Sequence, residues 1–221
     1  MYKADVLDAR KVKTICQRMK DLENDNTPVR VALYGGAFDP VHSAHLRVAH
    51  YALEQAQLDQ VIFIPAAQSP LKLHAPRTDD AARLQMLRLA LVGQMHFEVD
   101  PYEIEKGGLS YTLDTVRHFR ERMGNTELYW IVGGDQFEQL ERWHRIDELA
   151  ALVTFLVLAR PGSALQPQPI AGLRYQMVEA PLMSESSSEV RMRCEQGQSL
   201  KGFVPSAVEA FISEQELYTN T

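Results

Sequence analysis

Short apolar runs alternate with amphipathic segments along most of this chain. Runs that are apolar at nearly every position and rich in β-branched residues are typical of strands buried on both faces of a parallel sheet. They predict strands at 29–35, 60–65, 127–134, 153–159 and, more weakly, 174–179. The stretch between the last two, at 160–169, is rich in Pro and Gly and predicts an exposed loop.

The segments between these runs carry apolar residues at helical spacing. They predict helices over 44–57, from 79, from 112 to a stop at Gly124, from 135 through Trp143, and two more in the C-terminal tail. Thr78 is placed to cap the second of these helices, and Pro205 falls in the first turn of the last. Strands that alternate with helices imply right-handed βαβ crossovers. The sequence therefore predicts an α/β fold with a doubly wound parallel sheet and C-terminal helices.

Residues 1–28 stand apart from this pattern. They carry apolar residues at helical spacing and end in a polar stretch closed by Pro28. The sequence predicts an extra N-terminal helix and linker at 1–28, followed by one main domain at 29–221. This helix would pack its apolar stripe on the domain surface, or it would serve as an oligomer contact or a regulatory arm.

Composition and charge indicate which class of protein this is and which kind of partner it binds. The chain has 221 residues, of which 45% are hydrophobic, which is enough for one sizeable core. A net charge of -6, with basic residues spread along the chain, argues against wholesale binding of nucleic acid, so the expected partner is a small molecule. No apolar stretch approaches the roughly 18 residues of a membrane span, and no secretory signal is recognisable, so we expect a cytoplasmic protein. Cys16 and Cys194 match no metal or redox spacing and are expected to be reduced.

The stretch LYGGAFDPVHSAHLRVAH at 33–50 concentrates the candidate chemistry. A strand that ends in glycines and leads into a helix can hold phosphate, because backbone N–H groups and the positive end of the helix dipole point at one place. Gly35 and Gly36 would let the backbone approach an anion and would adopt dihedral angles closed to other residues. His42 and His45 lie three residues apart, so at a helix start they share a face and can both donate to phosphate. The alternatives are a zinc pair and a polar residue packed in the structure. No nearby Cys or carboxylate completes a zinc site, and a strand leading into a helix is the wrong context for a zinc finger.

This stretch resembles the signature of the adenylyltransferases that make dinucleotide cofactors, Gly-Gly-x-Phe-Asp-Pro-x-His-x-Gly/Ala-His. It matches every fixed position, and His42, where the enzyme of coenzyme A synthesis carries Thr, favours the nicotinate-nucleotide adenylyltransferases. The resemblance implies a Rossmann-like nucleotidyltransferase fold, with His42 and His45 as catalytic residues that also bind ATP. It further implies ATP contacts by Gly35, Gly36, Ala37 and Phe38, and a mononucleotide contact by Asp39.

A second match lies in the C-terminal tail, where 185–191 resembles the family's Ile-Ser-Ser-Thr-x-Ile-Arg. The resemblance assigns ATP binding to Ser186, Ser187, Ser188 and Arg191, and counts Arg191 as catalytic. Serines at a helix start donate to phosphate oxygens, and an Arg in the first turn can fork onto the β and γ phosphates. A plain capping box would also explain the serines. Glu185 replaces the usual apolar residue and would repel phosphate if it faced the site.

Three middle segments add to the resemblance. They assign mononucleotide binding to Lys72, Ser110, Tyr111, Thr112, Gly134, Asp135 and Trp143. Arg160, outside these segments, matches another family position near the bound nucleotides and is assigned to the same site. Asp135 would accept from a ribose hydroxyl, and Trp143 would lie beside the pyridine ring. Ordinary core packing is the alternative for Trp143, and a helix cap is the alternative for 110–112. Leu71 stands where the family usually has a histidine.

The resemblance implies transfer of the AMP part of ATP to nicotinate mononucleotide, giving nicotinate adenine dinucleotide and pyrophosphate in NAD biosynthesis. The nucleophile is the 5′-phosphate of the mononucleotide, so the enzyme has to align the reactants and stabilise charge. Mg²⁺ is expected to bridge phosphates of ATP with few protein ligands. Two alternatives stay open: a transferase of the same fold that prefers nicotinamide mononucleotide or another substrate, and a non-catalytic nucleotide-binding module.

Overall fold

The computed structural model describes residues 28–71, 75–159 and 169–219. The predicted N-terminal helix lies outside these ranges, as do Lys72, Arg160 and most of the predicted loop at 160–169. The predictions made for those residues therefore stay predictions.

Within the described ranges, six strands form one parallel sheet. They are β1 (Val29–Gly36), β2 (Gln60–Pro65), β3 (Phe97–Val99), β4 (Thr126–Gly133), β5 (Thr154–Ala159) and β6 (Tyr175–Glu179). Their order is β3-β2-β1-β4-β5-β6, which confirms the predicted doubly wound sheet. Five strands match the predicted runs to within a residue, whereas β3, with three residues, was not predicted.

Eight helices connect and flank these strands within the described residues. They are α1 (Ser43–Gln55), α2 (Asp80–Ala90), α3 (Tyr102–Lys106), α4 (Thr112–Met123), α5 (Gly134–Phe137), α6 (Ile146–Leu152), α7 (Ser187–Glu195) and α8 (Ser206–Glu214). The short helices α3 and α6 were not predicted.

Two local predictions about the helices were wrong. The helix predicted from 135 through Trp143 breaks after α5; a short 3-10 turn at Leu140–Arg142 follows, and Trp143 has extended backbone. Asp79, and not Thr78, caps α2, because its carboxylate accepts from the N–H of Ala82 at 2.7 Å.

The sheet separates two apolar layers. Side chains alternate along β1, so Ala32 belongs to the apolar layer that contains residues of α1, α2, α7 and α8. Val31 and Leu33 belong to the layer on the other face, with residues of α4, α5 and α6. The strand order reverses direction between β1 and β4. The carboxyl ends of these two strands therefore border a crevice, which is where open parallel sheets bind ligands.

The described helices give no sign of a membrane-spanning segment. None of them combines the length and the apolar character that crossing a membrane requires.

Candidate active site

Gly35 and Gly36 end β1 at this crevice. A Cβ atom on Gly35 would lie 2.6 Å from Cζ2 of Trp130, and one on Gly36 would lie 3.0 Å from Cζ of Phe38. Neither glycine has a positive φ; the left-handed conformation falls on Phe38, with φ of 46°. The prediction that these glycines supply dihedral angles closed to other residues was therefore wrong. They make room for two aromatic rings.

His42 and His45 lie against each other at the start of α1. His42 is the N-cap residue, and the two rings stack with their centroids 3.6 Å apart. The backbone N–H of His42 donates to Nδ1 of His45 at 3.2 Å. Because Nδ1 accepts this bond, Nε2 carries the proton of the neutral His45 ring. The ring of Phe38 meets His45 edge-on, with centroids 5.0 Å apart.

His42 is an uncharged imidazole near neutral pH. Burial lowers the pKa of His42 to about 4, and the nearby Arg47 lowers it too, while Glu185 acts in the opposite direction. Only 6% of the residue is exposed, and Nδ1 has no hydrogen-bond partner among the described residues. A phosphate placed beside this ring would favour its protonated form.

The start of α7 packs against the loop between β1 and α1. Ser187 donates through its hydroxyl to the carbonyl of Pro40 at 2.9 Å, and Arg191 donates to the carbonyl of Asp39 at 2.6 Å. Ser186 is the N-cap of α7 and accepts from the N–H of Glu189, which confirms the helix cap as one role of these serines. Ser188 accepts from Arg191 at 3.1 Å. The N-terminal ends of α1 and α7 thus meet at one loop.

Glu185 is neutralised by an ion pair with Arg47. The side chain of Glu185 is only 13% exposed, and that of Arg47 is 40% exposed. Burial opposes ionisation of Glu185, but the hydrogen bond from Arg47, a backbone hydrogen bond and the nearby positive charge together outweigh it, so the pKa of Glu185 lies below its ordinary value. The repulsion expected from this residue is therefore countered by a cation on α1.

Asp39 is held on the side of the loop that faces the C-terminal segment. Its carboxylate accepts from the N–H of Arg77 and from the hydroxyl of Tyr218, each at 2.7 Å. Asp39 is 5% exposed. These bonds give the carboxylate a structural role, and its contact with the mononucleotide stays a prediction.

A cavity of about 510 Å³ opens beside the end of β1. Its walls come from residues 35–37, 69–71, 110–112 and 142–144, with Ala66, Glu103, Trp130, Gln136, Gln139 and Leu149. The fold therefore brings Gly35, Gly36 and Ala37 together with Ser110, Tyr111, Thr112 and Trp143, which are distant in sequence. Gly36 and Ala37 join this cavity to the loop that carries the histidines.

Trp143 is packed on one side and borders the cavity on the other. Its ring meets Trp130 and Phe155 edge-on, with centroids 6.4 and 6.3 Å away. Its Nε1 is buried and has no hydrogen-bond partner among the described residues. The rings of Tyr111 and His144 meet at 4.6 Å on the cavity wall. Core packing and a place in the cavity therefore coexist at Trp143.

The cavity takes part of its wall from Gln136 in α5 and from Gln139 just after it, next to the predicted Gly134 and Asp135. The ribose contact of Asp135 stays a prediction.

Sequence reasoning missed Glu103, which is 4% exposed and accepts from the hydroxyl of Thr115 at 2.5 Å. Burial raises the pKa of Glu103, although Thr115 and Ser110 donate to it. Glu103 lies in a charged stretch of the sequence that gives no signal of burial. His144 could have been identified as a cavity residue, because it follows Trp143 directly in the sequence.

Known proteins resemble this chain both in sequence and in fold. The model of the cytidylyltransferase-like family matches residues 33–193. Relatives named "Probable nicotinate-nucleotide adenylyltransferase" include one from Opitutus terrae, 42% identical over 86% of this chain and 98% of the relative. Another, from Geobacillus kaustophilus, is 40% identical over 86% of each chain.

A solved structure shares the fold. The nicotinic acid mononucleotide adenylyltransferase of Plasmodium falciparum complexed with NaAD has a TM-score of 0.70 and 18% identity, over 86% of this chain and 97% of that one. The match to the family model extends from β1 into α7. The chain belongs to the cytidylyltransferase-like family and, within it, to the nicotinate-nucleotide adenylyltransferases.

Proposed function

We propose that the crevice at the ends of β1 and β4 binds both nucleotides of an adenylyl transfer. The enzyme moves the AMP part of ATP to nicotinate mononucleotide and releases nicotinate adenine dinucleotide and pyrophosphate. In this proposal the phosphates lie at the loop between β1 and α1, and the pyridine ring lies in the cavity. Both substrates are charged metabolites, which supports a cytoplasmic enzyme of NAD biosynthesis.

One observation carries the proposal: the N-terminal ends of α1 and α7 meet at residues 39–40. Each helix start offers backbone N–H groups and the positive end of a dipole, so their junction favours a polyphosphate. Arg191 is held there by the carbonyl of Asp39, and His45 carries its proton on Nε2. Both side chains are held in place by the fold before ATP binds, which is how preorganised donors lower a barrier.

The reaction requires alignment more than acid–base chemistry. A 5′-phosphate oxygen of the mononucleotide forms a bond to the α-phosphorus of ATP, and the bond from that phosphorus to the bridging oxygen breaks. Negative charge moves onto the departing pyrophosphate. A donor such as His45 Nε2–H strengthens as this charge develops, whereas Arg191 would hold the β and γ phosphates. The neutral His42 would donate in the same way, and it would gain a proton if the bound phosphate raised its pKa.

Recognition of nicotinate is assigned to the start of α4. Tyr111 and Thr112 lie at the positive end of this helix, which favours an anionic carboxylate over a neutral carboxamide. Trp143 would flank the ring. Glu103 also borders the cavity, where burial raises its pKa and the hydroxyls of Thr115 and Ser110 donate to it.

Mg²⁺ is proposed to enter with ATP. The described residues contain no cluster of three or more His, Cys, Asp or Glu side chains suited to a metal ion, so the phosphates of ATP would provide most of its ligands. When bound, the ion would neutralise charge on the departing pyrophosphate. Arg191 and His45 would then hold the phosphates that carry it.

A pyrophosphate-release assay tests the proposal. Purified enzyme receives MgATP with nicotinate mononucleotide, with nicotinamide mononucleotide, or with neither. We expect the highest kcat/KM with the nicotinate form and dinucleotide in a 1:1 ratio with pyrophosphate. A higher kcat/KM with nicotinamide mononucleotide would mean that the cavity recognises the carboxamide and not the carboxylate. No turnover with either mononucleotide would favour a non-catalytic nucleotide-binding module.

A further inference from the structure

Arg83 is a charged residue in an apolar position. Its side chain has no exposed surface, and it shares the inward side of α2 with Met86, Leu87 and Ala90. A guanidinium in such a place has lost its hydration, and only well-made hydrogen bonds offset that loss. The acceptors that Arg83 reaches therefore indicate what the residue does.

The guanidinium of Arg83 spans two acceptors. One terminal nitrogen donates to the carboxylate of Asp80, whose side chain is 49% exposed. The other donates to the carbonyl of Ala37 at 2.6 Å, directly beneath the loop that follows β1. The remaining donor, Nε, has no hydrogen-bond partner among the described residues. The residues just before α2 contact the same loop, because the backbone N–H of Arg77 donates to the carboxylate of Asp39.

The bond to Ala37 fixes the orientation of one peptide group. In a trans peptide the C=O and N–H groups point in opposite directions. Because the carbonyl of Ala37 points at Arg83 on α2, the N–H of Phe38 points away from α2. Ala37 itself borders the cavity. Phe38 has φ of 46°, a conformation that a non-glycine residue keeps only with support from its surroundings.

We propose that Arg83 is a positioning residue that holds the Ala37–Phe38 peptide so that the N–H of Phe38 donates to a phosphate oxygen of a bound nucleotide. This inference rests on the proposed function, in which phosphates lie at this loop. The phosphate belongs either to ATP or to the mononucleotide, and separate titrations distinguish the two sources.

The sequence offers a direct readout of this peptide. Ala-Phe occurs twice in the chain, at Ala37–Phe38 and at Ala210–Phe211. Protein labelled with ¹³C-carbonyl alanine and ¹⁵N-phenylalanine therefore gives two amide signals in a carbonyl-selected NMR spectrum. Phe211 lies in α8 and serves as an internal control. We expect MgATP or nicotinate mononucleotide to shift the Phe38 signal on binding and to leave the Phe211 signal in place.

Two variants of Arg83 test its role. Arg83→Met removes the fork and the charge, and we expect it to raise the Kd of the nucleotide that shifts Phe38 by about tenfold or more, the size of effect a lost charge-assisted bond produces. Arg83→Lys keeps the charge but cannot span both acceptors as a planar fork, so we expect a rise of about threefold. The expected shift of Phe38 at saturation is reduced in both.

A matched control lies at the opposite end of the sheet. Arg120 also donates to two backbone carbonyls, those of Thr126 and Leu152. Arg120→Met should lower the melting temperature while leaving the Kd within about twofold of the wild-type value, because it lies far from the loop. If Arg120→Met raised the Kd as much as Arg83→Met, the effect of Arg83 would be a general loss of stability, and the proposal would be overturned.

The outcomes separate this inference from the proposed function. If Arg83→Met does not fold, Arg83→Lys decides, and an unchanged Kd with an unchanged Phe38 shift overturns the positioning role. A wild-type protein in which neither nucleotide moves the Phe38 signal overturns it as well. A protein that binds ATP at Phe38 but forms no dinucleotide contradicts the proposed function and leaves the role of Arg83 intact.

Discussion

His42 and His45 stack at the start of α1, and the backbone N–H of His42 donates to Nδ1 of His45. The stack fixes the plane of the His45 ring, and the hydrogen bond fixes its tautomer. Two independent contacts therefore set the position of the proton on Nε2 before any nucleotide binds.

His45→Ala should reduce turnover by about 10²-fold, because it removes a donor that strengthens as charge moves onto pyrophosphate. Steady-state kinetics at saturating MgATP measures the effect. His50→Ala, an exposed position on the same helix, is the matched control and should leave turnover unchanged. A folded His45→Ala enzyme with near-normal turnover would refute the role given to His45.

The pKa of His42 predicts how stability changes with pH. Its pKa is about 4 in the folded protein, below its ordinary value of 6.5, so the unfolded chain binds the proton more tightly. The folded state should therefore lose stability as pH falls from about 6.5 to 4, by up to about 3 kcal/mol from this one group.

Urea unfolding of wild type and His42→Asn at several pH values isolates this contribution. Titration of the carboxylates is common to both proteins. The unfolding free energy of the wild type minus that of His42→Asn should therefore fall steadily from about pH 6.5 to 4. Parallel curves for the two proteins would show that His42 titrates normally.

Glu185→Ile should tighten ATP binding at low salt. The change leaves Arg47 without its carboxylate beside the phosphate site, and we expect the KM for ATP to fall about threefold at an ionic strength near 0.01 M. The gain should disappear near 0.3 M, because Arg47 is 40% exposed and its charge is screened.

Glu195→Ile makes the same change of net charge on α7. Glu195 pairs with the exposed Arg77, so this control should change the KM little at either salt concentration. A KM for ATP that rises in Glu185→Ile would mean that the pair with Arg47 shapes the loop and does more than neutralise a charge.

Gly35→Ala should destabilise the protein by about 1 to 3 kcal/mol, since the new Cβ would overlap the ring of Trp130. Gly133 ends the adjacent strand β4 and has no atom within 4 Å of an added Cβ, so Gly133→Ala is the control and should change stability little. Urea unfolding compares the two. Equal effects would show that Trp130 moves aside at no cost.

The longer elements were predictable because each buried strand keeps its apolar character along its whole length. β3 was missed because three residues are too few to show a pattern, and its pairing with β2 decides it. The helix expected through Trp143 breaks because Leu140 is buried and Trp143 packs against Trp130 and Phe155. Tertiary packing there overrides local helical preference.

The site was partly predictable for a similar reason. The residues around His42 form a contiguous motif, and the parallel sheet sets that motif at the carboxyl end of β1. The partner of Glu185, in contrast, lies 138 residues away on α1, and no local pattern pairs them. The reason for Gly35 was equally hidden, because Trp130 approaches it from a neighbouring strand.

The bond from Tyr218 to Asp39 joins two segments that are synthesised at very different times. Their separation is 179 residues, which a ribosome translating at about 5 to 20 residues per second needs roughly 10 to 35 s to cover. During that interval the loop after β1 exists without Tyr218 and, for most of the interval, also without α7, which supplies Arg191 152 residues after Asp39. The nascent chain therefore carries its most recognisable motif long before that motif can be completed, and competence for nucleotides should arise only late in synthesis.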